Sequence, residues 1–377
     1  MKVCMVSKHF HPYSGGLEAR VLELARWLVA RGDGVLVLTS HERGTQGREV
    51  LDGVEVRRSS VWFSLFNALF TPGVFVNLLK ADCDLIDVNL PDPVNSVSAY
   101  IASILRGRPL FVTYHADIVK EGLRHVPFKV VYYPLLWLVL RRAARILVTS
   151  PDYAGSSPVL LGFMGKVVVA PSFVDVGRFR PGVGGSEVRV KHGLGGKPVV
   201  LFVGRLVEYK GVTYLLRAFA ELVKEKDARL VVVGDGPLRR GLEDEAGALG
   251  VGGKVVFAGE VSGGELPGYY AACDVFALPS VTRQEAFGLV LVEAMSSGKP
   301  VVSTNFSGMP YVVGDAGLLV EPMNPSALKE ALARILADGK YASGLGVVGR
   351  GRVEAMFSRD VVCSAVRSLY KSFARKD

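Results

Sequence analysis

The stretch EAFGLVLVE sets two carboxylates, Glu285 and Glu293, eight positions apart around an otherwise apolar segment. The preceding CDVFALPS reads as a buried strand, VTRQEAF as a polar turn, and GLVLVEAMSSG as a helix that starts at Gly288 and ends near Gly298. Glu285 then falls in the loop and Glu293 inside the helix, about 7–8 Å beyond its start at ~1.5 Å per residue. Between them lie the amides of Phe287, Gly288 and Leu289, at a helix amino end, where hydrogen bonds and the helix dipole hold phosphate. Two carboxylates would repel that phosphate unless each accepts hydrogen bonds from hydroxyls on either side of it. A sugar, a diphosphate and a ribose, joined in that order, supply those groups. On spacing alone a plainer reading stays open, with Glu285 as a helix cap and Glu293 on a solvated face. VGRLVEYKG adds two cations, Arg205 directly after a buried strand and Lys210 directly before the next helix. Both then sit at strand carboxyl ends, where Arg205 grips phosphate with its fork and Lys210 adds a mobile point charge.

The elements that position these residues form two series. GVLVLTS, DLIDVNL, PLFVTYH, RILVTS and KVVVAPS are short Val/Ile/Leu runs separated by helix-like segments, and PVVLFVGR, ARLVVVGDG, KVVFAGE, CDVFALPS, KPVVST and AGLLVEP repeat the pattern. Near-continuous apolar strands of this kind are buried on both faces of a parallel sheet. The chain of 377 residues is long for one core, so two doubly wound α/β domains are expected. The Gly-rich, charged segment Arg180 to Lys197 is the linker candidate. The expected division is 1–180 and 181–356, with ligand bound beyond the strand carboxyl ends, in a cleft between the domains.

FVGRLVEYKGVTYLLRAF, VVVGDGP, YYAACDVFALPSVTRQEAFGLVLVEAMSSGKPVVSTNFSGMPYVV and GLLVEPMNPSAL, in that order, resemble the nucleotide-sugar-binding half of glycosyltransferase family 4. The resemblance continues upstream in PYSGGLEARVLELARWLVARGDGVLVLTS, YHAD and APSFVDVGRF, and more weakly in the last helix, so it covers nearly the whole chain. It implies a retaining, nucleotide-sugar-dependent enzyme of the GT-B fold, two Rossmann-like domains facing each other across a cleft. The amino-terminal domain would bind acceptor, and a helix over 357–377 would pack back on it. By this resemblance Glu285 approaches the donor sugar hydroxyls, Glu293 the ribose, and Arg205 and Lys210 the diphosphate, with the Gly15-Gly16 loop closing from the amino-terminal domain. His115, after PLFVTY, matches the histidine that contacts the sugar near the reacting carbon, and Asp117 either joins it or caps the next helix. The donor would be a UDP-, GDP- or ADP-sugar, with no cofactor and no metal. Two departures lie near the family's cleft: Pro171-Ser172-Phe173-Val174-Asp175 replaces Pro-Asn-Gly-Val-Asp, and Tyr311 replaces a glutamate.

Competing chemistries would use the same residues. A glycoside hydrolase needs carboxylates flanking the scissile bond from opposite sides at about 5–9 Å, which a pair on one loop–helix unit fits poorly. A non-catalytic nucleotide-sugar-binding subunit is the alternative to an enzyme, and Glu285, Arg205 and Lys210 argue against it. Asp82-Cys83-Asp84 spells Asp-x-Asp, yet it only leads into the strand DLIDVNL and is not expected to hold metal. Four dispersed cysteines suggest reduced thiols, and MKVCMVSKHF reads as a strand rather than a signal peptide, so a cytoplasmic setting is expected.

The net charge of +9 points to anionic ligands or an anionic membrane surface, while nucleic acid has no supporting signature. From Val61 to Leu79, VWFSLFNALFTPGVFVNLL carries no charge. Thr71-Pro72-Gly73 interrupts it, so two short helices in the core or over the cleft are expected rather than a span. VPFKVVYYPLLWLVLRRAARI is expected to bury against the sheet. Its aromatics beside Arg141, Arg142 and Arg145 would also suit peripheral association with anionic lipid, and with it a lipid-linked or membrane-presented glycan acceptor.

Overall fold

The computed structural model describes residues 1–13, 15–66, 68–118 and 126–374. The chain divides into two compact units, Met1–Pro171 with Val362–Asp377, and Ser172–Val361.

In the first unit, strand Lys2–Val6 lies mid-sheet between Gly34–Ser40 and Leu85–Leu90. Leu110–Tyr114, Arg145–Val148 and Val167–Val169 continue the parallel sheet on one side. On the other side lies Val54–Ser59, and Arg48–Leu51 closes that edge antiparallel. The central strands are buried along their length, as the apolar runs require. The second unit has six parallel strands in the order Val255–Gly259, Arg229–Val233, Val199–Val203, Val275–Leu278, Val301–Thr304, Gly317–Val320.

The division falls at 171/172, ahead of the glycine-rich linker candidate. Val174 bridges Ser358, and Phe179 is buried in the second core, which fixes 172–180 to that unit. The candidate linker itself holds a helix, Ser186–Lys191, whose Arg189 pairs with Asp274 at 2.9 Å. The second crossing falls inside the helix Arg359–Phe373. Phe357 packs edge-on against Phe287 in the second unit, at 5.7 Å. Tyr370 is buried in the first unit, where its hydroxyl donates to Asp87 at 2.7 Å.

The uncharged run from Val61 is one hairpin and one helix rather than two helices. Phe63–Leu65 pairs antiparallel with Ala68–Phe70, and the helix Pro72–Lys80 follows. Phe63 stacks on Phe70 at 4.8 Å, a cross-strand aromatic pair, and Pro72 has the fixed φ that suits a first helical turn. The helix Val126–Arg142 buries only part of its surface: Tyr132, Leu136, Val139 and Leu140 face inward, while Val130, Val131 and Trp137 face water. No helix of the described residues is long and apolar enough to cross a membrane.

Candidate active site

Lys210 and Glu285 are 75 positions apart, yet the strands that precede them, Val199–Val203 and Val275–Leu278, are sheet neighbours. Their exits bring the ammonium onto Glu285 Oε2 as a hydrogen-bonded ion pair, with both side chains nearly buried at 11% and 12% exposure. The Ser280 hydroxyl donates to the same oxygen at 3.2 Å. Burial pulls the Lys210 ammonium pKa down, but the fields of Glu285 and Tyr209 outweigh it and the net displacement is upward. Gly211 makes this approach feasible. It sits at φ +68°, and a Cβ there would lie 2.1 Å from the Pro279 carbonyl oxygen. Arg205 stands exposed just beyond the strand Val199–Val203.

The helix after Glu285 runs Leu289–Ser296, and no side chain caps Gly288, which is left-handed at φ +76°. Phe287 is buried beneath this start, and Leu289 is half-buried. Its amino end is therefore a set of amide donors one loop away from Lys210 and Glu285. Glu293 lies on the same helix and accepts the Tyr270 hydroxyl at 2.7 Å.

In the first unit, Gly15 precedes the helix Gly16–Val29 in extended conformation, close to the tip of the Glu18 side chain. A Cβ would meet Glu18 Oε2 at 2.2 Å, whereas Gly16 is open. His115 follows Leu110–Tyr114, and its Nε2 lies 3.0 Å from Asn89 Oδ1. Asn89 donates its amide nitrogen to the Val6 carbonyl at 3.3 Å, which orients Oδ1 toward His115 and places the ring proton on Nε2. Burial, helped by Arg20, holds the imidazole pKa well below its usual value, so His115 is neutral. Asp117 accepts the hydroxyls of Tyr114 at 2.7 Å and Ser157 at 2.8 Å, which ties its carboxylate to two neighbouring segments of the unit. Residues 119–125, between it and the next helix, lie outside the described residues. Asp82 pairs with Lys2, and Asp84 accepts the Lys2 amide at 2.7 Å. Among the described residues no His, Cys, Asp or Glu cluster could hold a metal ion.

Two family profiles divide the chain between them: "Glycosyl transferases group 1" over residues 186–351 and "Glycosyl transferase 4-like domain" over 15–172. The chain belongs to the family-4-type glycosyltransferases. It is 39% identical over 189 residues to the GDP-mannose-dependent alpha-(1-6)-phosphatidylinositol monomannoside mannosyltransferase of Mycolicibacterium smegmatis, covering 48% of this chain and 50% of that one. The chain thus spans about half the length of that mycobacterial relative. Over 381 residues it is 28% identical to the O-antigen chain mannosyltransferase C of Escherichia coli, covering 98% of each. Sucrose-phosphate synthase of Thermosynechococcus elongatus superposes with a TM-score of 0.77 at 25% identity, covering 98% of each chain, and this is the GT-B fold.

The Glu293 carboxyl of this glycosyltransferase is pushed up to about 7, first by burial, against the opposing pull of Tyr270 and Arg178. Tyr270 and Arg178 lie within family-like segments, but nothing in the sequence assigns them to Glu293; the fold brings them there from 23 and 115 positions away. A carboxyl pKa raised on folding means that the native state holds a proton the unfolded chain has lost. Stability from this group is full below the unfolded value of 4.5 and falls as pH rises toward 7. Glu293→Gln should therefore be more stable than the parent at pH 8, by on the order of 2–3 kcal/mol, and equal to it at pH 4. Urea melts at both pH values check this; the same difference at each pH would contradict it.

Proposed function

We propose that this glycosyltransferase moves a sugar from a nucleoside diphosphate sugar to an acceptor hydroxyl, with retention at the reacting carbon. The observation that carries this reading is the nearly buried Lys210–Glu285 pair beside the uncapped start of Leu289–Ser296. A cation, a hydroxyl-accepting carboxylate and a row of amides are gathered at adjoining strand ends, in the order that sugar and diphosphate need. Glu293 would accept the ribose hydroxyls. Its mycobacterial relative is named for GDP-mannose, and uridine, guanosine and adenosine donors are all candidates for this chain.

In the proposed step the bond from the sugar carbon to the phosphate oxygen breaks and a bond to the acceptor oxygen forms on the same face. The acceptor proton passes to the departing phosphate oxygen. Arg205, Lys210 and the helix amides offset the charge that grows on the diphosphate, which is where preorganised electrostatics act most strongly. These groups supply the countercharge themselves, so transfer is proposed to proceed in EDTA. Neutral His115 suits a single directional hydrogen bond to a sugar hydroxyl rather than charge stabilisation. Glu285 and Glu293 are engaged by Lys210, Ser280 and Tyr270, which fits hydroxyl recognition better than nucleophilic attack.

The proposed acceptor is a lipid-linked or membrane-presented glycan on the cytoplasmic face. Relatives named for a phosphatidylinositol mannoside and for the O-antigen chain support that class. The test is a thermal-shift screen against UDP-, GDP- and ADP-sugars. A donor at about 100 times its Kd should add about 2.7 kcal/mol. No stabilisation by any of them would overturn the donor assignment, and an inverted anomeric configuration in the product would overturn retention.

A further inference from the structure

We propose that the first unit docks on the surface of an anionic bilayer through a strip built from the hairpin Phe63–Leu65/Ala68–Phe70 and the outer face of the helix Val126–Arg142. This rests on, and deepens, the membrane-presented acceptor reading. The two segments are far apart in sequence, and the fold joins them: the ring of Phe66 at the hairpin tip meets Phe128 on the helix at 6.1 Å. Trp62 is 72% exposed, with Phe63 and Leu65 also more than half exposed beside it. Along the helix, Val130 and Val131 are about two-thirds exposed, and Trp137 is 48% exposed.

The inner stripe of that helix, Tyr132, Leu136, Val139 and Leu140, already packs into the unit, so the outer face should be polar if water were its only neighbour. It is apolar instead. Trp137 reaches Phe163 at 6.3 Å, which extends the strip onto the turn Leu161–Lys166, where Leu161 and Met164 are exposed. The area involved is on the order of 1,000 Å², against about 300–600 Å² for the largest apolar patch of a typical monomer.

Charge selects the occupant. No carboxylate occurs between Glu55 and Asp82 or between Glu121 and Asp152, whereas Lys129 and Arg141 fall within the second interval at the strip. Arg142 and Arg145 follow but turn inward, Arg142 to the Ser103 and Arg108 carbonyls and Arg145 over the Phe373 ring. Arg141 is exposed and lies over the Trp137 ring at 5.0 Å, an aromatic–cation pair with an apolar body and a charged tip. A second copy of the chain seated by two-fold symmetry would set one cationic rim against another. An anionic lipid surface offers acyl chains to the strip and phosphates to the rim.

The chain has three tryptophans, and Trp27 is buried, so Trp62 and Trp137 are the water-facing reporters. The experiment mixes the full chain with phosphatidylcholine vesicles, with and without phosphatidylglycerol, at low and high salt, and reads co-sedimentation and tryptophan emission. The expected result is binding at least about tenfold tighter to the phosphatidylglycerol vesicles, weakened by salt, with a blue-shifted emission. Trp62→Ser/Trp137→Ser should lose at least tenfold in vesicle affinity. Arg141→Glu should weaken binding severalfold and flatten its salt dependence. Equal binding to neutral and anionic vesicles, unchanged binding of the double variant, or a dimer in solution that buries both tryptophans would each overturn the proposal. Donor thermal shifts, measured on the same variants without vesicles, separate the two readings. Lost vesicle binding with an intact donor shift counts against docking alone, and an absent donor shift in the parent counts against the donor site alone.

Discussion

Lys210→Ala should lower transfer by roughly 30- to 1,000-fold in kcat, equivalent to about 2–4 kcal/mol if the ammonium acts like one preorganised oxyanion donor. The reason lies in what the substitution strands as well as what it removes. With the ammonium gone, Glu285 keeps, among the described residues, the Ser280 hydroxyl at 3.2 Å, inside a site where its side chain is 12% exposed. Breaking such a pair from one side costs stability too, by about 3–5 kcal/mol where burial is complete. The melting temperature must therefore be followed beside the rate. Lys210→Met combined with Glu285→Leu removes both charges and should recover most of the lost stability while leaving transfer abolished. That combination separates a folding defect from a chemical one. Glu285→Gln, which keeps shape and loses charge, should cripple transfer, and because it leaves the nearly buried Lys210 ammonium facing an uncharged amide it should also lower the melting temperature. Parent-like rates in both Lys210→Ala and Glu285→Gln would sink the site assignment.

Tyr370→Ala should destabilise the first unit by about 3–5 kcal/mol, through a cavity and a lost hydrogen bond together. Its ring packs edge-on against Phe111 at 5.0 Å, and its hydroxyl is one of the donors to buried Asp87, beside Thr113 at 2.9 Å. Burial raises the Asp87 carboxyl above its usual range despite those donors, so losing one leaves an expensive group less satisfied. For a unit of this size the melting transition should fall by roughly 8–16 °C. Tyr370→Phe, which keeps the ring, should lose about 1–3 kcal/mol. Calorimetry decides: if both variants melt within a degree or two of the parent, the Asp87 network does not hold the last helix.

Much of the scaffold is legible in the sequence because parallel strands are buried on both faces, which writes them as short apolar runs such as PVVLFV and DVFAL. That Lys210 and Glu285 both sit at strand exits is legible, since each follows such a run. Their pairing is not, because strand order is not written locally. Tyr270 is invisible because the packing of the helix Leu266–Ala272 on Leu289–Ser296 is not written locally either, whereas Ser280, five positions before Glu285, is within local reach but carries no signal of its own. The hairpin at Phe63–Phe70 reads wrongly as helical because an uncharged run of mixed aromatic, aliphatic and small polar residues shows neither period clearly, and the cross-strand pairing resolves it. The helix Val126–Arg142 misleads in the other direction. Apolar residues on both faces suggest burial, and the structure buries one face only.

The chain passes from one unit to the other twice, at 171/172 and again at 361/362. On the ribosome this has a temporal meaning. Residues up to Pro171 emerge with Asp87 and Phe111 still lacking Tyr370, and the whole of Ser172–Val361 must be made before that partner appears. The second unit, contiguous in sequence, can close while the first is still waiting. The nascent first unit therefore spends that interval with part of its sheet uncovered, the condition in which chaperones engage and aggregation begins. Slow translation through the Ser172–Val361 stretch would lengthen the exposure, and tethering the last helix ahead of Met1 by circular permutation would abolish it.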